Sequence, residues 1–144
     1  MSRSSSHPRN PVTEGTVTGH QLPLLVLDGT FAVCRLSANA PLPSWATISA
    51  FFSITRTADE LSIVCREDAV PDGVVCERGW RCLRVAGTMP FTTVGVLASL
   101  TAPLADAGIG LFAISTFDTD YLLVKATDFD VAVDALRRHG HTVA

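Results

Sequence analysis

The sequence predicts an α+β fold made of two tandem units of about 60 residues each, with mainly antiparallel sheets. Three observations lead there. The chain has 144 residues, 47% hydrophobic and 17% charged, so apolar surface is ample to offset the entropy of ordering it. Short strand-like runs are separated by turn residues, and helical patterns interrupt them. The order of elements also recurs. Sliding the chain by 60 positions sets Phe52-Ser53-Ile54 on Phe112-Ala113-Ile114, Thr55 on Ser115, Val64 on Val124 and Asp68 on Asp128. The units are expected at residues 21–78 and 79–144, behind a disordered tail at 1–20 that is rich in Ser, Pro, Thr and Gly.

Leu24 to Leu27 reads as a strand, Asp28-Gly29 as a two-residue turn, and Phe31 to Leu36 as the returning strand of a hairpin. Pro41 and Pro43 break that run, and Ser44 is placed to cap a short helix beginning at Trp45. Phe52–Thr57 and Glu60–Cys65 form a second hairpin around Ala58-Asp59. After the turn Pro71-Asp72-Gly73, Trp80 to Val85 alternates large apolar with polar residues, as a half-buried strand does. The first unit's helix is therefore shrunken.

In the second half, Thr92 or Thr93 can cap a helix over Val94–Ala107, with Gly108 as its stop and Pro103 as a kink or break within it. Ile109–Ser115 and Tyr121–Lys125 flank a turn at Phe117–Asp120. Thr127 or Asp128 can cap the last helix, whose apolar face is Phe129, Ala132, Val133 and Leu136. Arg137, Arg138 and His139 suit the negative end of its dipole, Gly140 ends it, and His141–Val143 is a short edge strand with His141 exposed to solvent.

Composition excludes several functions. The net charge is −3 and no basic block occurs, so nucleic acid is not an expected partner. No apolar run is long enough for a membrane span, and no secretory signal is visible. Cys34, Cys65, Cys76 and Cys82 form no CxxC pair and mostly lie in apolar runs, which reads as a reduced, cytoplasmic protein without a metal. Asp118-x-Asp120 lacks the further ligands that a metal site needs. Gly108-Ile109-Gly110 follows a helix rather than a strand, so it is no dinucleotide fingerprint. Ser115, Thr116, Asp118, Asp120, His139 and His141 carry catalytic chemistry in principle. No GxSxG, HExxH or P-loop pattern accompanies them, and neither an enzyme nor a cofactor is expected.

Two places could bind a small molecule. Around Thr93, Val94, Gly95 and Val96 a helix begins, where peptide N–H groups lack intrahelical partners and attract an anion such as a carboxylate. Gly95 would let a ligand approach the backbone, or equally let the helix pack tightly on a strand. Asp118 and Asp120 could meet a cation, or could simply be a solvated acidic turn.

The run Thr93-Val-Gly-Val-Leu-Ala-Ser-Leu-Thr-Ala-Pro-Leu-Ala-Asp-Ala-Gly-Ile109 resembles the signature of the ACT domain. Ile114-Ser-Thr-Phe-Asp-Thr-Asp-Tyr-Leu-Leu-Val124 is similar to the ACT-like branch that includes the CASTOR arginine sensors and many small bacterial proteins. The hairpin Phe52–Val64 fits the first half of those tandem proteins, so the likeness covers about residues 22–144. It implies two ferredoxin-like βαββαβ sandwiches, a homodimer, and an amino acid bound at an interface between units, with arginine the first candidate. It also places Asp120 against that ligand. Thr93 stands where many ACT domains carry an acid, and Val94 where a proline is common. The alternative is a dimerisation or protein-interaction module with no small ligand.

Overall fold

A computed structural model of the chain describes residues 20–87 and 94–144. It is a mixed α+β structure in which almost all strand pairs are antiparallel. Two units are distinguished: residues 28–81, and residues 1–27 together with 82–144. This division differs from the sequence expectation of 21–78 and 79–144, because the first strand belongs with the C-terminal residues. Of the disordered tail expected at 1–20, residues 1–19 lie outside the described residues, and His20 is placed by a hydrogen bond.

In the unit of residues 28–81 the strands are β2 (Phe31–Leu36), β3 (Ser53–Arg56), β4 (Leu61–Arg66) and the first part of β5 (Val75–Val85). They pair in the order β3-β4-β2-β5. β3 and β4 form the hairpin expected around Ala58-Asp59, with Arg56 opposite Leu61. Side chains two apart on a strand share a face. Ala32 and Cys34 of β2 therefore join Leu61, Ile63 and Cys65 of β4 in one core, against Ala46 and Val70. The expected short helix is a single 3-10 turn, Ser44–Thr47, and Ser44 caps nothing. Pro43 holds the preceding backbone extended (φ −73°, ψ 148°), and the first bond of the turn runs from the Ala46 N–H to the Pro43 carbonyl.

The other unit contains β1 (Pro23–Val26), the end of β5, β6 (Leu111–Ser115), β7 (Asp120–Lys125) and β8 (Thr142–Val143). Its helices are α1 (Val96–Asp106) and α2 (Phe129–Arg138). β6 and β7 form a hairpin, β7 pairs with β5, β5 with β1, and β1 in parallel with β8. Leu24, Leu83, Val85, Leu122 and Val124 from these strands bury themselves against Val96, Leu100 and Leu104 of α1 and against Ala132, Ala135 and Leu136 of α2.

The expected hairpin of β1 on β2 does not form. Both strands run antiparallel to β5, with Leu24 opposite Val85 and Phe31 opposite Trp80. A tight type I′ turn needs positive φ at both central residues. Gly29 has φ +82°, but Asp28 does not, so the dipeptide links two successive stretches of strand instead of reversing the chain.

Both helices end as their glycines predict. In α1 the Gly108 N–H bonds the Ala105 carbonyl and the Ile109 N–H bonds Leu104; in α2 Gly140 bonds Arg137 and His141 bonds Leu136. These are paired Schellman bonds around a left-handed glycine, φ +76° and +92° respectively. Asp128 occupies the N-cap of α2 without a side-chain capping bond. The cap expected of Thr92 or Thr93 lies outside the described residues. Among the described residues no helix is long and apolar enough to cross a membrane.

Candidate functional site

α1 begins two residues later than the sequence pattern suggests. Gly95 is its N-cap, in the left-handed conformation (φ +80°, ψ 5°), and the first intrahelical bond runs from the Ser99 N–H to the Gly95 carbonyl. The N–H groups of Val96, Leu97 and Ala98 therefore have no intrahelical acceptor, and they carry the positive end of the helix dipole. A side chain at Gly95 would strain the backbone, because its φ is +80°. Val96 turns its own side chain into the core at 3% exposure, so it offers only its backbone. Thr93 lies outside the described residues.

The Val94 carbonyl accepts a hydrogen bond from His20 Nε2 at 2.7 Å, which ties the N-terminal lead-in of β1 to the residue before Gly95. A second histidine reinforces this. His141 is buried, at 3% exposure, and not in solvent as the sequence suggested. Its Nδ1 accepts the Leu22 N–H at 3.1 Å and its Nε2 donates to the Ser99 carbonyl at 3.0 Å, so the neutral ring carries its proton on Nε2. The physical reason lies four residues along. The Ser99 carbonyl would ordinarily accept the N–H of residue 103, but Pro103 has none. His141 supplies the missing donor, and α1 runs through Pro103 as one helix.

The two acids differ sharply. Asp118 is exposed in the turn between β6 and β7. Asp120 is the first residue of β7, opposite Ser115, and only 1% exposed. Thr119 anchors the start of β7: its Oγ1 donates to the carbonyl of Val85, the last residue of β5, at 2.7 Å. Its N–H and carbonyl also bond the Thr116 hydroxyl, which closes the turn. Gly95 and Val96 thus stand at the start of α1 and Asp120 at the start of β7, in one unit. Asp118 is left in solvent.

Sequence reasoning missed Ser99 and Thr119, and it left His20 in the tail and His141 in solvent. For His141 a signal existed: a proline inside a helix orphans the carbonyl four residues before it, and a histidine follows the next helix stop. Among the described residues no group of three or more His, Cys, Asp or Glu is placed to hold a metal ion.

An ACT-domain model matches residues 75–138, from β5 through α2, and a separate N-terminal-domain model matches residues 29–73. The chain belongs to the ACT-domain superfamily. A crystal structure of an Agobacterium tumefaciens protein is 42% identical, with a TM-score of 0.83 over 87% of this chain and 93% of that one. The human cytosolic arginine sensor for mTORC1, subunit 1, is 33% identical over 116 residues, 75% of this chain and 34% of the sensor. The chain spans less than two thirds of the curated relatives it matches. The regulatory subunit of aspartate kinase from Thermus thermophilus shares the ACT fold, with a TM-score of 0.57 at 11% identity over 78% of this chain and 93% of that one.

Proposed function

We propose that this ACT chain is a regulatory protein that binds a small zwitterion, an amino acid with arginine first among candidates, and does no chemistry on it. One observation carries the reading: left-handed Gly95 opens an eleven-residue helix whose first N–H groups have no intrahelical acceptor, and it brings no Cβ to that helix start. The ligand carboxylate meets the N–H groups of Val96, Leu97 and Ala98, and its ammonium or guanidinium meets Asp120. Charge matching supports both ends, since a helix N-terminus favours an anion and a buried carboxylate favours a cation. The sensor named among the relatives supports arginine. We further propose that the chain works as a homodimer, which light scattering at tens of micromolar checks against a monomer.

The test is a thermal-shift series over the twenty amino acids, on wild type, Gly95→Ala and Asp120→Asn. A ligand at 100 times its Kd stabilises the fold by about 2.7 kcal/mol, roughly 10 °C in a chain this size. Wild type should shift with arginine, and both variants should lose that shift while remaining folded. A wild type indifferent to all twenty overturns the reading and leaves a ligand-free dimerisation module in its place.

A further inference from the structure

Three of the four cysteines lie on neighbouring strands of the unit of residues 28–81: Cys34 on β2, Cys65 on β4 and Cys76 on β5. Cys34, mid-β2, stands directly opposite Cys76 on β5. On its other side it faces Ile63 of β4, two residues short of Cys65. All three thiols enter one core: Cys34 and Cys65 are fully buried, and Cys76 is half-buried at the margin. Directly opposed residues of an antiparallel pair have Cα atoms about 4.5–5.5 Å apart, inside the range of roughly 4.4–6.8 Å that a disulfide spans. Diagonal neighbours sit at about 7–8 Å, which disfavours Cys65 as the bridging partner of Cys34.

We propose that Cys34 and Cys76 form an oxidant-responsive dithiol that closes to a cross-strand disulfide between β2 and β5, with hydrogen peroxide as the oxidant. Cys76, the thiol nearest solvent, attacks as thiolate. Its Sγ takes one peroxide oxygen, the O–O bond breaks, and the other oxygen leaves as water once protonated. The Cys34 sulfur then attacks the sulfur of this sulfenic acid, the S–O bond breaks, and the Cys34 proton passes by way of Cys65 to the departing hydroxide, which leaves as a second water. Two thiols lose two electrons in all, and the peroxide gains them. Cys65 prepares the second step. The Cys34 thiol hydrogen-bonds to it, which holds Cys34 above and Cys65 below the ordinary thiol range, and the Arg78 cation adds to the lowering of Cys65. Cys65 is thus the neighbour able to take the Cys34 proton as the new bond forms.

The full chain is treated with hydrogen peroxide, alkylated under denaturing conditions and mapped by mass after proteolysis without reduction. Titratable thiols should fall from four to two, with a mass loss of about 2 Da and a linked peptide containing Cys34 and Cys76. Cys65→Ser should keep the link and slow its closure, while Cys34→Ser and Cys76→Ser should abolish it. Whether or not Cys34→Ser folds, the wild-type map is decisive by itself. Four thiols left reduced, a link carried by Cys65 or Cys82, or a covalent dimer through Cys76 would each overturn the proposal.

Discussion

Cys82 shows what burial does to one residue. It lies in β5 with no solvent exposure, and burial pushes its thiol from 9.0 up to about 12. Below pH 9 the thiol is protonated in both states and its contribution to stability is complete. Between pH 9 and 12 the unfolded chain releases the proton while the folded chain keeps it, so stability falls as pH rises. The slope approaches about 1.4 kcal/mol per pH unit. Urea midpoints from pH 8 to 11 should drop less steeply in Cys82→Ala than in wild type; parallel curves would refute the assignment. Asp118 and Asp120 teach the same lesson, since two acids two positions apart have opposite environments. Sequence marked both as candidates, and only the strand register separates the solvated one from the buried one.

α1 is an element completed by a residue outside it. Its interior proline frees a buried carbonyl at Ser99, and the His141 ring, held at its far side by the Leu22 N–H, supplies the donor. His141→Ala leaves both backbone groups without that partner, a loss of about 2–4 kcal/mol. Pro103→Ala restores an N–H four residues after Ser99. The double variant should therefore be less destabilised than the sum of the singles, by about 1 kcal/mol, measured by urea denaturation. Strict additivity would mean that His141 contributes by packing alone. The helix and its glycine stop were legible because periodicity and C-caps are local. The histidine's role was not, because it depends on a contact 42 positions away in the chain.

For the molecule as a whole, β5 is the connecting member. It is one strand of eleven residues, its start assigned to one unit and its end to the other. β1 lies between β5 and β8, so residues 82–144 alone lack a strand of their own sheet, with Leu24 in its core. Calorimetry should therefore show one unfolding transition for the full chain, and a fragment starting at residue 79 should fail to fold. Two well-separated transitions would show that the units are energetically independent.

The sequence by itself determined the α+β class, the hairpins around Ala58-Asp59 and Phe117–Asp120, both helices and their stops at Gly108 and Gly140, and the residues on which the ACT likeness rests. Each depends on neighbours within a few positions, where periodicity and glycine chemistry act directly. Only the tertiary structure decided that Asp28-Gly29 carries the strand onward along β5, that His141 is buried on the Ser99 carbonyl, and that Asp120 but not Asp118 is withdrawn from water. Those outcomes depend on which distant strand or helix satisfies a given backbone group, and hydrogen-bond satisfaction in a buried core is settled by the whole fold, not by adjacent residues.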